Sequence, residues 1–452
     1  MCGFVFAADP SRFKSEELCV GFVNKALAGM HYRGLPGRSN VTLAHGRVLG
    51  HTRLPIMNLS RQYDQPLVYE NLLVAHVGEV FNYRKLFSHA PTDTLTVAET
   101  YLRQGVQGFS QFDGFWSTVI LDEEKAAVVT DYLAQKPVYW HRRKQVFASE
   151  LNVLKPLGVT LNRHYLSNVA KWGYDPTGRT PYNEITQLAP GHAVIFYGSE
   201  YHVLRYWNWD AIPLPQKNLF ELLLNAVELR LLGDQPVAAL VSGGLDSAIT
   251  YGLALELGAQ IATFHVENDE ADFARLVSRK AVPLNVHDVS IAEGLEAHQV
   301  PVDLGSVLPQ LAMARAVQER GFHVALTGDG ADELFGGYRR AKQYDSQWSD
   351  TFTELPYYHL PRLDRIMMRH TIELRSPFLA PAVIKYALKL PYEERTEKQA
   401  LKSAFRNIVP DEVLAREKKP LKSFLFDKDA TSYRLELLRM FTDNFEKESH
   451  EH

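Results

Sequence analysis

Cysteine is nearly absent from this chain, with two in 452 residues, Cys2 and Cys19. So few exclude a disulfide scaffold and suit a reducing cytoplasm, and their spacing makes no metal-ligand pattern. No apolar run reaches the roughly 18–20 residues that a membrane span needs. An excess of one charge is missing too. Lys and Arg number 49 against 53 Asp and Glu, for a net charge of −4. That leaves no basic balance for nucleic acid or an anionic membrane. The opening MCGFVFAADPSRF lacks the basic start and small-residue cleavage site of a signal peptide. No internal repeat or low-complexity tract occurs. GxxxxGK[ST] is absent, and with it the γ-phosphate lysine of that nucleotide-binding class. What remains is an ordinary globular composition, 46% hydrophobic and 23% charged, long enough for two or three cores.

Short strand-like runs fill the first 205 residues, among them NVTLAHGRVLG, NLLVAHVGEVF, WSTVILDEEKAAVVTDY and GHAVIFYG. They predict a mostly antiparallel, layered domain over 2–205, with an early helix in SRFKSEELCVGFVNKALAGM. Residues 206–218, YWNWDAIPLPQKN, mix prolines with aromatic residues and carry no period, so the junction falls there. NLFELLLNAVELRLL then shows an i, i+3, i+4 stripe. Strand and helix patterns alternate after it: VAALV, AITYGLALELG, QIATFHV, DFARLVSRKA, LNVHDVSI, PQLAMARAVQERG and HVALT. This predicts a parallel sheet in an α/β domain over 219–430, helical from about Glu354 onward. The last stretch, within 431–452, reads as an amphipathic segment ending in a charged tail that frays.

The most informative segment is VAALVSGGLDS at 237–247. A strand runs into a glycine turn and a helix start, which aims backbone N–H groups and a positive helix end at an anion. Gly243 and Gly244 allow close approach, and Ser242 and Ser247 add hydroxyls. Asp246 beside a phosphate makes sense when a divalent metal lies between them. The loop resembles the pyrophosphate loop of enzymes that split ATP between the α- and β-phosphates, the alternative being a glycine turn alone. A second acidic turn, GDGADELFGGY at 328–338, follows the strand HVALT. Ligands bind at that edge of an open α/β sheet. Asp246 and Asp332 are therefore expected to face one another across the phosphates and share Mg²⁺. At the other end of the chain, loss of Met1 would expose a free α-amine on Cys2, a base for its own thiol.

Cys2-Gly3, SGGLDS and GDGADELFGGY together resemble the glutamine-dependent asparagine synthetases, and the resemblance runs over nearly the whole chain. HYRG (31–34), HTRLPIM (51–57), DYLAQKPVYW (131–140), FASELNVL (147–154) and DRIMMRHTIELRSPFL (364–379) are similar to further family motifs. EKQALKSAF and AREKK resemble its lysine-bearing helix and loop. The resemblance implies an α/β/β/α N-terminal nucleophile hydrolase sandwich, a glutamine amidotransferase of type 2, joined to an α/β adenylating domain by an ammonia tunnel. It implies ATP and Mg²⁺, with glutamine or ammonia and aspartate or another carboxylate as substrates, and leaves room for a homodimer. By position, Cys2 would be the nucleophile and the Gly78 N–H an oxyanion donor. Arg53 would grip the glutamine carboxylate, Glu79 and Asp93 its ammonium, with Leu54 and Ile56 on the pocket wall. Leu240, Val266, Thr327 and Gly328 would line the adenosine site, while Ser242, Gly243, Gly244, Asp246 and Ser247 would bind pyrophosphate. Asp246 and Asp332 would hold the metal. Asp329, Lys398 and Lys418 would serve adenylate formation. Glu373 and Arg375 fit an ion pair as well as a site.

Two stretches depart from the family. AHVGEVFN (75–82) carries Val77 where the family has an oxyanion-hole asparagine. Losing one such donor costs about 10²–10³ in rate, unless a neighbour such as His76 substitutes. The segment QVPVDLGSVLPQL (299–311) is unlike the family's acceptor region, where Asp303 and Ser306 are either substitute contacts or a plain loop before a helix. These departures leave open an acceptor other than aspartate, or a degenerate homologue that binds nucleotide or glutamine without turnover.

Overall fold

A computed structural model describes residues 2–268, 271–285, 289–303, 305–338, 352–416 and 430–450. The first domain stacks two six-stranded sheets. One runs in the order β10-β8-β9-β1-β3-β2, with β1 Gly3–Ala7, β2 Ser39–Ala44, β3 Arg47–Thr52, β8 Tyr139–His141, β9 Val146–Ala148 and β10 Ile185–Gln187. The other runs β12-β11-β7-β6-β5-β4, with β4 Leu67–Tyr69, β5 Leu72–Val80, β6 Gly114–Leu121, β7 Lys125–Thr130, β11 His192–Tyr197 and β12 Glu200–Arg205. Every pairing in both sheets is antiparallel.

The helix Glu16–Gly29, capped by the Ser15 hydroxyl, covers β1 and β3 from outside, and Asp93–Gln104 covers β5. β1, β3 and β5 thus each have a helix on one face and a sheet on the other. That is why β1 (GFVFA) is apolar at every position and buried throughout, instead of alternating as a one-sided strand does. Trp140 stacked on Phe147 at 5.1 Å, with Phe196 edge-on to Phe147 at 5.8 Å, fills the space between the sheets.

The second domain holds five parallel strands in the order β15-β14-β13-β16-β17: β13 Val237–Leu240, β14 Ala262–Val266, β15 Val282–Leu284, β16 Val324–Leu326 and β17 Glu373–Arg375. The chain builds outward from β13 on one side, then returns to add β16 and β17 on the other. The switch point lies beside the C-terminal ends of β13 and β16, where open α/β sheets bind ligands. The expected helices are present at Leu219–Arg230, Leu245–Glu256, Ala271–Val277 and Val307–Gln318. Asn218 and Glu221 close a capping box on the first of them.

Three expectations change. LNVHDVSI is not a strand over its length: β15 ends at Leu284, and 286–288 lie outside the described residues. The fifth strand, β17, went unread because three residues show no period. The C-terminal segment is not a frayed tail but a helix, Ala430–His450. It packs on the helix Arg163–Trp172 of the first domain. Tyr433, Leu437 and Phe441 are buried on it, and Phe441 and Phe445 lie 6.1 and 5.8 Å from the Tyr182 ring.

The domains meet through buried charge. Asp364, on the helix Leu360–Met368, accepts two hydrogen bonds from Arg33, at 2.9 and 3.0 Å, and one from Lys136 Nζ at 2.9 Å. Arg33 also donates to Glu150 at 2.5 Å. Arg33, Lys136 and Glu150 belong to the first domain, and all four groups are buried. Gln299 ties in from the second domain, donating to Glu150 and accepting from the Leu151 and Asn152 N–H groups at 2.9 and 3.1 Å.

Burial alone would raise the Asp364 carboxyl, but the charges of Arg33 and Lys136 hold it down to about 2. Its unfolded value is about 3.9. The stability it contributes is therefore complete above about pH 4 and lost as pH falls toward 2. Asp364→Ala leaves two buried cations short of an acid and is expected to cost about 3–5 kcal/mol. Urea unfolding at pH 7 should read a lower midpoint, and the variant should lose less stability than wild type between pH 4 and pH 2.

Candidate active sites

Three strand ends and one helix start converge at the first site. Cys2 immediately precedes β1, Arg53 follows β3, β5 carries Val77, Gly78 and Glu79, and Asp93 opens its helix. Cys2 is buried, with Sγ 3.8 Å from the Leu54 carbonyl. Burial pushes its thiol up, and the charge of Arg53 opposes that in part. Arg33 Nε donates to the Cys2 carbonyl at 2.9 Å, so the ionic knot between the domains also fixes this backbone.

Gly78 has φ +109°, and a Cβ there would lie 2.0 Å from the Phe115 carbonyl oxygen. Only glycine can occupy the position. Val77 is buried in the strand beside it. His76 Nδ1 pairs with the Thr118 hydroxyl at 2.8 Å, and Nε2 faces Asp93 at 3.5 Å. The His76 ring is thus held by Thr118 and faces Asp93. Asp93 accepts from the Val80 and Thr94 N–H groups at 2.9 and 2.8 Å. Burial would raise its carboxyl, but His76 and these N–H groups bring it below the ordinary range.

Arg53 differs from expectation. Its guanidinium already donates to the carbonyls of Ser60, Met57 and Asn58, at 2.9, 3.1 and 2.6 Å, and to Asp64 at 3.0 Å. It holds the loop 57–64, and an incoming carboxylate has to share or displace these acceptors. Leu54 and Ile56 are buried, and the Ile56 carbonyl accepts from Asp234 N at 2.9 Å.

The second domain contributes more to this site than the sequence disclosed. Arg375 on β17 donates to Glu373 at 2.7 Å and to the carbonyls of Arg230 and Leu232 at 2.8 and 2.5 Å. Arg375 and Arg230 both lie over the ring of Phe81, at 5.0 and 4.8 Å. Burial, then Glu373, then Asp93 push the Glu79 carboxyl well up. The charge of Glu373, from the other domain, is thus felt at Glu79. The motif ELRSPFL was the available signal, but it does not say which way the side chains face. Further along the boundary a small cavity is lined by Phe115 and Lys136 of one domain and Thr327, Asp364, Leu374 and Ser376 of the other.

At the second site, Ser242–Ser247 wraps the start of the helix Leu245–Glu256. Gly243 has φ +70°, and a Cβ there would come within 2.5 Å of Phe273. Ser247 Oγ accepts from Ser242 N at 3.1 Å and donates to the Gly244 carbonyl at 3.1 Å. Arg416 donates to the Gly243 carbonyl at 2.7 Å. Leu240 and Val266 end β13 and β14, while Thr327 and Gly328 follow β16. A Cβ on Gly328 would lie 2.6 Å from Asp246 Cβ, so glycine is what lets the two turns touch.

Asp246 and Asp332 do face one another, with Lys398 between them. Its Nζ lies 2.5–2.7 Å from the Asp246 oxygens and 2.5 Å from Asp332 Oδ1. Burial would lower this lysine, but the two aspartates raise it, so it stays an ammonium. A point that holds an ammonium between two carboxylates is a cation position. Among the described residues no group of three or more metal-ligating side chains gathers. Asp329 accepts from Arg362 at 2.7 Å and from the Thr327 hydroxyl at 2.5 Å. Arg362 also donates to the Ser306 hydroxyl at 2.6 Å. Asp303 instead accepts from Tyr358 and Arg434, at 2.5 and 2.6 Å. Lys418 lies outside the described residues.

Residues 1–207 match the glutamine amidotransferase domain family, and residues 218–356 and 340–451 match the asparagine synthase family. The chain belongs to the asparagine synthase family. A probable glutamine-hydrolysing asparagine synthetase of Schizosaccharomyces pombe is 26% identical over 92% of this chain and 84% of its own length. Asparagine synthetase B of Escherichia coli is 24% identical over 86% of this chain and 76% of its own. A putative asparagine synthetase of Methanocaldococcus jannaschii, 26% identical, aligns over 64% of this chain and 66% of its own. The first domain is a two-sheet antiparallel sandwich that matches the glutamine amidotransferase domain family, and the chain is a ligase of the asparagine synthase family. No helix among the described residues is long and apolar enough to cross a membrane.

Lys398→Met removes the ammonium from between the two aspartates. The variant is expected to melt several degrees below wild type in EDTA, and added Mg²⁺ should raise its Tm more than it raises that of wild type. A variant indifferent to Mg²⁺ would show that the aspartate pair is not a cation site.

Proposed function

We propose that this protein adenylates a carboxylate, by default the side chain of aspartate, and converts the acyl-adenylate to an amide with ammonia drawn from glutamine. The observation that carries the proposal is the contact of two turns at the switch point of the parallel sheet, with Asp246 and Asp332 converging on one cation. Mg²⁺ bound there would neutralise the leaving pyrophosphate. Ser242, Gly243, Gly244 and Ser247 supply hydroxyl and backbone donors to the phosphates, at a helix N-terminus that favours an anion. Leu240, Val266, Thr327 and Gly328 border the adenosine site. Lys398 moves from the aspartates to the phosphates when ATP and metal arrive, and Lys418 is assigned beside it. Asp329 orients the acceptor. Arg362 and Ser306, joined to Asp329, sit where an acceptor carboxylate would be recognised, since a guanidinium takes carboxylates in charge-assisted pairs.

In the first domain Cys2 attacks the glutamine side-chain carbonyl, and the Gly78 N–H faces the developing oxyanion. Glu79 and Asp93 hold the α-ammonium, and Arg53 turns from its loop acceptors to the α-carboxylate. Val77 leaves the oxyanion one donor short. Glutamine-driven synthesis is therefore slower than synthesis driven by free ammonium.

Purified protein with ATP, Mg²⁺ and aspartate should release pyrophosphate and form asparagine faster with ammonium than with glutamine. Val77→Asn is expected to raise the glutamine-driven rate by about 10² and leave the ammonium-driven rate where it was. Pyrophosphate with carboxylates other than aspartate would reassign the acceptor. No pyrophosphate with any donor would overturn the reading.

A further inference from the structure

Buried arginines at the boundary between the domains are paired with acids. Arg33 holds Asp364 and Glu150, Arg230 holds Asp113, and Arg375 holds Glu373. Arg365 is the exception. It sits on the helix Leu360–Met368 and is 3% exposed. It donates to the His298 carbonyl at 2.8 Å and to the Tyr139 hydroxyl. Both partners are neutral, and among the described residues no carboxylate pairs with it. Its Nε is buried with no hydrogen-bond partner. A buried charge without a counter-charge is costly, and an unsatisfied buried donor calls for a water or an ion.

Arg365 lines a cavity of about 20 Å³ between the domains. Tyr139, Tyr165, Asp175 and Arg179 of the first domain line it together with Tyr357 of the second. That space takes a water or one monatomic ion and excludes a phosphate with its five heavy atoms. Asp175 is the acid of this lining. It is engaged by Asn168 Nδ2 at 2.8 Å and by the Thr177 N–H at 2.7 Å, and it pairs with neither guanidinium. Two guanidiniums against one carboxylate leave one positive charge in excess. Hydrogen-bond donors are in excess too. The Tyr139 hydroxyl accepts from Arg365 and keeps its own proton to donate. The Tyr165 and Tyr357 hydroxyls bond to no described residue, and burial pushes both phenols up, so both remain protonated.

We propose that this cavity binds one small monovalent anion of the halide class, which neutralises Arg365 and joins the two domains. The Arg365 Nε–H and the phenol protons donate to it from both sides of the boundary. A water would fill the same space and leave the charge unanswered. The helix that carries Arg365 also carries Asp364, bonded to Arg33 and Lys136, and Arg362, bonded to Asp329. The anion therefore seats the helix on which both the ionic knot and the acidic turn lean. None of its lining belongs to either candidate active site, so the proposal does not depend on which carboxylate the protein amidates.

Bromide gives a readout that does not depend on turnover. Crystals of the full chain soaked in sodium bromide should show an anomalous peak in this cavity, against Arg365. In solution, sodium chloride should raise Tm by a few degrees, and saturably, over sodium gluconate at equal ionic strength, since gluconate is too large to enter. Arg365→Gln should abolish both the peak and the chloride-specific shift. Tyr165→Phe keeps the ring and removes one donor, so it should need about tenfold more chloride for half the shift, the loss of one hydrogen bond to a charged group. Should Arg365→Gln not fold, an unchanged chloride midpoint in Tyr165→Phe overturns the site. A soaked wild-type crystal with no peak there overturns it outright. A peak with no chloride-specific rise in Tm marks an adventitious ion only and overturns its part in joining the domains.

Discussion

Asp364 is the group on which the two-site arrangement depends. It sits on a helix of the synthetase domain and is held by Arg33 and Lys136 of the amidotransferase domain. The same Arg33 holds the carbonyl of Cys2. Two positions away on the same helix, Arg362 holds Asp329. One turn of helix thus touches the Cys2 backbone through one neighbour and the acidic turn at 328–338 through another. Buried ion pairs seldom add much net stability, because desolvation offsets attraction. What this one supplies is registry: an apolar interface could slide by an ångström, and a carboxylate with three charged donors cannot.

Most of the chemistry was legible because it depends on local geometry. SGGLDS and GDGADE state their turns in their own residues, since glycine is needed where the backbone turns left-handed or two loops collide. Gly243 and Gly328 meet that need. The parallel sheet was legible from alternation, which placed three of its five strands, β13, β14 and β16. β17 was lost because three residues carry no period. The C-terminal helix was misread because its charges are visible in sequence and its partner, Tyr182 with the helix Arg163–Trp172, is not. Arg53 shows the same limit. Its identity says that it can bind a carboxylate, while the loop carbonyls that occupy it come from a fold no short motif encodes.

Each site contains a cation already in the place of a ligand, or a charge that waits for one. Lys398 neutralises Asp246 and Asp332, so the two turns meet without leaving a pair of bare carboxylates. Arg53 does the same for Asp64 on the glutamine side. Both arrangements make binding an exchange of partners. Exchange lowers the gross affinity for each ligand, yet it keeps the empty protein folded without a cofactor.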